Sequence, residues 1–265
     1  MIRSISYGGG VQSTALLVLA IQGRIDFQVA LFANVGDDSE HPASLDYVRN
    51  IAKPYADAHS FPLHELHPER RGQPTTIYQE ITRTDSARDV IPVYGTIGAP
   101  MSRTCTADFK IKTIGRWLKT NGATKQNPAT VAIGISVDEI ERAGRGKEEP
   151  GQIRTYPLLD LGLNRDRCTE VIRNAGLPVP PKSSCYFCPF HRPLVWAEMR
   201  RDEPDLFNKA QHLEDHMNQR NAARGRPPVY LTRFGKRLTD AIPEAQASLF
   251  GDEMGSQCDS GYCWS

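Results

Sequence analysis

The chain has 265 residues, with 32 basic and 31 acidic side chains and a formal net charge of +1. This length suits one large domain, alone or with a small extension, and the near-zero charge excludes a global attraction to nucleic acid or to a membrane surface. Without a secretory signal or a run of about 18 apolar residues, we expect a cytoplasmic protein with no membrane partner.

The first third of the sequence predicts a βαβ unit. Ile2–Tyr7 has the composition of a short strand, and Val11–Ile21 has the apolar density of a buried helix that Gly23 ends. Phe27–Asn34 predicts a second strand. A helix is expected from about Pro42, because proline favours the first helical turn.

Three later segments continue the alternation of helices and strands: a helix over Thr106–Thr120, a strand over Thr130–Ile135 and a helix over Arg165–Ala175. Gly144–Gln152 is charged and glycine-rich without apolar periodicity, and this predicts a mobile loop beside the strand ends. The order of elements predicts an α/β fold with a doubly wound, mostly parallel sheet.

The composition changes after Pro178–Pro181. A Cys-containing turn follows, then a polar helix from about Pro204 to Arg224, then a tail with further cysteines. We therefore expect an α/β domain in residues 1–180 and a small Cys-containing helical extension with its tail in residues 181–265.

The turn between the first predicted strand and helix contains three consecutive glycines. Glycines let the backbone approach a phosphate, and the following helix N-terminus adds N–H groups and partial positive charge; Ser13 and Thr14 add hydroxyl donors. The alternative is a flexible turn whose glycines serve close packing. The turn matches neither a Walker loop nor a dinucleotide-binding motif. The three consecutive glycines of this turn are Gly8, Gly9 and Gly10.

Further short motifs follow this turn in a fixed order. FANVG (Phe32–Gly36) precedes SLDYV (Ser44–Val48), and RTCT (Arg103–Thr106) precedes FKI (Phe109–Ile111). The later motifs are IGI (Ile133–Ile135), then Asp138, Glu139 and Arg142, and finally YPLLD (Tyr156–Asp160).

Together these motifs resemble the phosphoadenosine phosphosulfate (PAPS) reductases of the adenine nucleotide α-hydrolase, or PP-loop, superfamily. The resemblance covers roughly residues 2 to 190. It implies that residues 1–180 bind an adenine nucleotide, which is ATP, adenylyl sulfate (APS) or PAPS. The nucleotide site implied by the resemblance comprises Gly8, Gly9, Gly10, Gln12, Ser13, Thr14, Gly36, Gly134 and Arg142.

Two positions of the turn depart from the usual hydrolase loop. Gly8 occupies the position of its first serine, and Gln12 occupies the position of its aspartate. Glutamine there resembles the reductase branch more than the ATP-cleaving branch, which favours sulfonucleotide reduction. The resemblance also implies that Arg103 and Lys110 act on phosphate or sulfate, where their charges suit an oxyanion.

The cysteines predict a metal centre. Cys185 and Cys188 form a C-x-x-C pair, and Cys105 lies 80 residues upstream, so the fold can bring three thiolates together. The spacing does not separate structural zinc from an iron–sulfur cluster. Resemblance to adenylyl-sulfate reductases implies a 4Fe-4S cluster, although Thr106 replaces one of their cysteines. Cys168 is either a fourth ligand or a small buried residue.

Two other features allow alternative interpretations. By resemblance to sulfonucleotide reductases, whose nucleophilic cysteine lies near the C-terminus, Cys263 is a candidate nucleophile, with Cys258 resolving it; the alternative is a disordered tail with incidental thiols. Asp37 and Asp38 follow a predicted strand, where they can hold magnesium or cap the next helix.

A basic strip in the C-terminal part raises the question of nucleic acid. It includes the Arg220–Arg226 stretch, and Trp196 and Tyr230 are expected to add aromatic surface for base stacking. Because Glu214 and Asp215 are among the acidic residues interleaved with it, we favour an exposed helix of mixed charge.

Three functions follow from these observations. The first is a PAPS-reductase-like enzyme that uses a thiol reductant. The second is an ATP-dependent sulfurtransferase that takes sulfur from a donor protein and thiolates a nucleic acid or a small acceptor through an adenylated intermediate. The third is a non-catalytic binding module stabilised by zinc. We favour the two enzymatic functions and place sulfonucleotide reduction first.

Overall fold

A computed structural model describes residues 1–85, 88–144 and 149–243, and these form two compact units. The first unit contains Met1–Thr75 and Ala107–Ser184. The second contains Thr76–Thr106 and the described chain from Cys185 onward. The extension expected from residue 181 thus also includes the earlier segment Thr76–Thr106, because that segment packs against the C-terminal helices.

The seven strands of the described residues are β1 (Arg3–Tyr7), β2 (Val29–Ala33), β3 (Leu63–Leu66), β4 (Glu69–Arg70), β5 (Gln73–Pro74), β6 (Ala129–Ile133) and β7 (Gln152–Thr155). The α-helices of the same residues are α1 (Val11–Ile21), α2 (Pro42–Tyr47), α3 (Lys53–Ala58), α4 (Ile77–Thr82), α5 (Lys112–Thr120), α6 (Pro157–Asp160), α7 (Arg165–Asn174), α8 (Pro193–Asp202), α9 (Pro204–Ala222) and α10 (Leu238–Ala241). No helix within this part of the chain is long and apolar enough to cross a membrane.

The first unit is built on a sheet with the strand order β3-β2-β1-β6-β7. All four neighbouring pairs are parallel, so the predicted α/β fold with a doubly wound, mostly parallel sheet is confirmed. β3 and β7 were not predicted. Both are edge strands of four residues with polar side chains, and such strands lack the apolar run that marks a buried strand.

The sheet is covered on both faces because alternate residues of each strand point to opposite sides. On β2, Ala30 and Phe32 join a core with helices α1 and α7. Leu31, between them in sequence, joins a second core with Ile114 of α5. Burial on both faces explains why β1, β2 and β6 consist mainly of small and apolar residues.

The strand order reverses direction at β1. The chain moves outward from β1 to β2 and β3, then returns to place β6 on the other side of β1. Ligands of open parallel sheets bind at such a switch point, outside the carboxyl ends of the strands. The glycine turn follows β1 and Gly134 follows β6, so both lie at this point.

Two predicted segments differ in detail from the structure. The helix expected over Thr106–Thr120 is a π-helix over Thr106–Ile111 that continues as α5; π-helical turns are frequent at functional sites. Of the loop predicted over Gly144–Gln152, residues 145–148 lie outside the described residues, and β7 already begins at Gln152.

The second unit is a small helical assembly. Trp196 of α8 is fully buried and packs edge-on against Phe207 of α9 with ring centroids 6.3 Å apart. The expectation that Trp196 adds aromatic surface is therefore wrong, since it belongs to the core. Arg220 of α9 donates to the carbonyl of Ile81 at 2.6 Å and pairs with Asp89, which fastens the earlier segment to α9.

Glu214 of α9 holds two parts of the following chain. The residue is fully buried, and its carboxylate oxygens accept the backbone N–H groups of Leu231 and Leu238, each at 2.8 Å. Burial raises the pKa of Glu214 to about 7, although the two N–H groups act in the opposite direction. The protonated form is therefore favoured in the folded state.

We expect the raised pKa of Glu214 to contribute to the free energy of unfolding. This contribution should be fully present below about pH 4.5 and should be lost as the pH rises through about 7. The difference in unfolding free energy between wild type and Glu214→Gln, measured by urea denaturation, should fall by a few kcal/mol at most across that interval, since one pKa unit corresponds to about 1.4 kcal/mol. A difference that stays constant with pH would contradict this assignment.

Candidate functional site

The glycine turn delivers the N-terminus of α1 to the switch point. Gly10 is the N-cap residue with extended backbone, no side chain of the described residues caps the helix, and its first turn contains no acidic residue. The first N–H groups of a helix have no intrahelical partner. Those of Val11, Gln12 and Ser13 are therefore placed to bind an anion with the positive end of the helix dipole.

Two hydroxyl groups form hydrogen bonds that stabilise the conformation of the glycine turn. The Ser13 hydroxyl accepts the N–H of Gly10 at 3.2 Å and donates to the carbonyl of Gly10 at 3.1 Å. The Thr14 hydroxyl, which is fully buried, bonds the hydroxyl of Tyr7 at 3.0 Å. Both residues were predicted as nucleotide ligands; in the structure their hydroxyls bond within the turn.

The glycines of the site allow backbone segments to approach each other closely. Gly9 has φ of +74°, and a Cβ there would lie 3.0 Å from Val48 Cγ2. A Cβ on Gly10 would lie 2.8 Å from the hydroxyl oxygen of Ser183, and a Cβ on Gly134 would lie 3.1 Å from the backbone nitrogen of Ser13. The alternative considered for these glycines, close packing, therefore applies to Gly9, Gly10 and Gly134.

Arg165 is a site residue that the motifs do not reveal. Its guanidinium donates to Oε1 of Gln12 at 3.3 Å, and its backbone N–H donates to Oδ2 of Asp138 at 2.7 Å. Asp138 also accepts the hydroxyl of Ser136 at 3.3 Å. These bonds hold an arginine side chain beside the glycine turn.

In the sequence alone, Arg165 looks like one of several arginines on a solvated helix face. The one signal is its place as the first residue of α7, because a helix that follows a parallel strand points its N-terminus towards the carboxyl edge of the sheet. Its hydrogen-bond partner is Gln12, so the guanidinium meets an amide oxygen there, where the resemblance to the hydrolase loop would place a carboxylate.

Gly36 lies in a polar network beyond the end of β2. With φ of +128°, its N–H donates to Oδ1 of Asn34 at 2.9 Å, and Nδ2 of Asn34 donates to Asp37 and Glu65, each at 2.7 Å. Arg49 forms two bonds of 2.8 Å with the carboxylate of Asp37, and this pairing lowers the pKa of Asp37.

The capping role considered for the two aspartates is not observed, and the magnesium role stays a prediction. Asp37 binds Arg49 through both oxygens, and Asp38 accepts the hydroxyl of Ser39 at 2.9 Å. Helix α2 is instead capped by His41, whose side chain accepts the N–H of Ala43 at 3.3 Å.

Two predicted cations of the first unit pair with buried carboxylates. Lys110, on the π-helix, lies 3.5 Å from Oε1 of Glu40, and their side chains are 15% and 3% exposed. Arg142 pairs with Glu139, and both are buried. Their charges therefore have compensating partners within the unit.

The three cysteines of the predicted centre belong to the second unit. The N–H of Cys188 donates to the carbonyl of Cys185 at 3.1 Å, and the N–H of Cys105 donates to the carbonyl of Val90 at 2.9 Å. Arg103, predicted to be catalytic, lies over the ring of Phe190 at 5.7 Å. Among the described residues, no three His, Cys, Asp or Glu side chains are arranged to share one metal ion.

The remaining cysteine candidates are placed differently. Cys168 is fully buried and belongs to the apolar core between the sheet, α1 and α7. Burial, with a smaller contribution from Asp138, raises the pKa of its thiol to about 12, so the thiolate that a metal requires is disfavoured. Cys258 and Cys263 lie outside the described residues.

No family model and no curated protein matches this chain. Among solved structures, the chain is similar to the U34-tRNA thiolase NcsA from Methanococcus maripaludis, which was solved with its 4Fe-4S cluster. The two are 11% identical, the match covers 82% of this chain and 72% of that chain, and the TM-score is 0.42. A likeness of this degree does not transfer an activity, so the function of this chain rests on its own residues.

The turn predicts different outcomes at two adjacent glycines. Gly9→Ala should lower the free energy of unfolding by about 1–2 kcal/mol, because it places a Cβ at positive φ and 3.0 Å from Val48. Gly8→Ala should change it little, since its Cβ would meet only Ser13 Oγ at 3.9 Å. Urea denaturation measures both, and equal losses would show that the turn has another backbone conformation.

Proposed function

We propose that this chain is an ATP-dependent sulfurtransferase of the PP-loop superfamily, with the nucleotide phosphates bound at the glycine turn. The observation that carries this proposal is the N-terminus of α1 at the switch point of the sheet, where the N-cap residue Gly10 has no side chain to bond the first N–H groups of the helix and Arg165 is held beside them. N–H groups, a helix dipole and a guanidinium at one place suit a polyphosphate.

Within the proposal, the chain's own residues stabilise the departing pyrophosphate. An oxygen of the acceptor attacks the α-phosphorus of ATP, and the bond from that phosphorus to the pyrophosphate oxygen breaks. The N–H groups of Val11, Gln12 and Ser13 and the guanidinium of Arg165 are the donors available for the negative charge that leaves. Sulfide then attacks the carbon that carries the adenylated oxygen, and AMP departs with that oxygen.

Cys105, Cys185 and Cys188 are the residues that would hold a 4Fe-4S cluster. Three thiols in one compact unit, two of them in a tight turn, form a suitable donor set. When bound with three protein ligands, such a cluster supplies an iron that can carry sulfide.

A second candidate is the reduction of a sulfonucleotide, which the sequence alone favours. Gln12 at the aspartate position is the observation behind it. The nucleophile that this reaction needs was assigned to Cys263, which lies outside the described residues. We place sulfur transfer first because the residues that we assign to it lie within the part of the chain that the structure describes.

The products distinguish the two reactions. Cluster-loaded protein should release AMP and pyrophosphate from ATP when radiolabelled sulfide is supplied with bulk RNA or single-stranded DNA as acceptor, and label should enter the acceptor. Release of sulfite from APS or PAPS with a thiol reductant, without AMP formation from ATP, would overturn the proposal in favour of sulfonucleotide reduction.

Replacing Arg165 should weaken the binding of ATP, which carries phosphates, and should leave the binding of adenosine unchanged. Arg165→Ala is expected to weaken ATP binding by about 10- to 100-fold, because a charge-assisted bond to phosphate is worth roughly 1.5–3 kcal/mol. Binding of adenosine should stay unchanged. Titration calorimetry measures both affinities.

Arg167→Ala is the matched control, since Arg167 lies two residues further along the same helix and pairs with Glu170 at 3.0 Å. An equal loss of ATP affinity in the two variants, or an equal loss of ATP and adenosine affinity in Arg165→Ala, would refute a phosphate contact at Arg165.

The metal centre predicts a spectroscopic result. Protein purified anaerobically should be brown, absorb near about 400 nm and contain iron and sulfide. Cys105→Ser, Cys185→Ser and Cys188→Ser should each lose most of this absorbance, whereas Cys168→Ala should keep it. Colourless protein with stoichiometric zinc would instead support the binding-module hypothesis.

A further inference from the structure

The C-terminal half of α9 and the chain that follows it carry a local excess of positive charge. From His216 to Thr239 the sequence contains six basic residues and no acidic residue, although the whole chain has a net charge of only +1. A local excess of this kind attracts polyanions irrespective of the net charge of the protein. The six residues are Arg220, Arg224, Arg226, Arg233, Lys236 and Arg237.

The acidic residues that make this region look mixed in sequence are used inside the unit. Glu214 is fully buried and binds two backbone N–H groups. Asp215 pairs with Arg237 at 2.8 Å, and Arg220 pairs with Asp89. The other four cations, Arg224, Arg226, Arg233 and Lys236, are all exposed, and Arg224 also donates to the carbonyl of Thr84 at 3.0 Å.

Residues 224–237, here called the return segment, have a backbone that is fixed at several points. Val229 exchanges two hydrogen bonds of 2.8 Å with the side chain of Asn218. Tyr230 exchanges two backbone hydrogen bonds with Tyr94, at 2.8 and 2.9 Å. Glu214 holds the N–H of Leu231. The exposed cations therefore project from an ordered backbone, which reduces the entropy lost on binding.

A polar cleft of about 610 Å³ lies between α9 and the return segment. One wall is a single face of α9, formed by Asp215, Asn218, Gln219 and Ala222, and the other wall comprises Pro228, Tyr230, Lys236, Arg237 and Asp240. Because the amide of Asn218 is bonded to Val229, the groups that can stack on a base, bond its edge and contact a phosphate are the ring of Tyr230, the amide of Gln219 and the ammonium of Lys236. The exposed side chain of Phe234 adds a second ring on the same segment.

We propose that the return segment and this cleft bind a single-stranded polynucleotide. This inference rests on the proposed function in one respect, since it makes the polynucleotide the acceptor of the transferred sulfur. The charge pattern favours a polyanion, and the combination of the Tyr230 ring, the Gln219 amide and the cleft favours one that carries bases. An acidic protein segment would use the cations alone.

Binding of labelled oligonucleotides to the full chain tests the proposal without requiring catalysis. Fluorescence anisotropy is measured with 12-nucleotide single-stranded RNA and DNA, their duplexes, and polyglutamate as a competitor, over a series of salt concentrations. We expect tighter binding of the single strands than of the duplexes. The RNA and DNA arms identify which polynucleotide is preferred.

Two sets of variants separate charge from stacking. Replacing Arg226, Arg233 and Lys236 together by Ala should weaken binding at least tenfold and reduce the slope of log affinity against log salt by about two, since each phosphate contact on a single strand contributes about 0.7. Tyr230→Leu should weaken binding at least fivefold, because stacking on one ring is worth roughly 1–3 kcal/mol.

The matched control replaces three exposed cations of the first unit, Arg24, Lys119 and Lys125, by Ala. The proposal is overturned if this control loses as much affinity as the return-segment variant, if Tyr230→Leu binds as wild type does, or if polyglutamate competes as well as the oligonucleotide. Oligonucleotide binding without any ATP binding would instead overturn the proposed function and leave this surface in place.

Discussion

The close approach of the segment after β6 to the first turn of α1 is the constraint on which the rest of the proposed nucleotide site depends. Gly134 leaves no space for a side chain, since a Cβ there would lie 3.1 Å from the nitrogen of Ser13 and 3.2 Å from Cβ of Gln12. The first turn of α1 is therefore pressed against the segment after β6. This contact fixes where the free N–H groups of α1 point.

The same constraint explains the position of Arg165. The segment after β6 continues to Asp138, whose carboxylate binds the N–H of Arg165 at the start of α7. Helix α7 packs against α1, and its first side chain reaches back to Gln12. A cation is thus held at the glycine turn by two neighbouring strands and their helices, which is the preorganisation that binding a polyphosphate requires.

Much of the fold can be predicted from the sequence because strands buried on both faces leave an apolar signal. β1, β2 and β6 have that signal, whereas the polar edge strands β3 and β7 do not. The glycine turn was predictable from composition and order. Arg165 was not, because its role arises from the packing of α7 on α1. In the same way, only the structure shows that Trp196 belongs to the core and that the buried side chain of Glu214 accepts backbone N–H groups of the following chain.

Binding of ATP at the glycine turn is tested most directly by a crystal structure of the chain with a non-hydrolysable ATP analogue. We expect the phosphates within hydrogen-bonding distance of the N–H groups of Val11, Gln12 and Ser13, with the guanidinium of Arg165 beside them. Phosphates bound away from the N-terminus of α1, with the glycine turn contacting no part of the nucleotide, would contradict it.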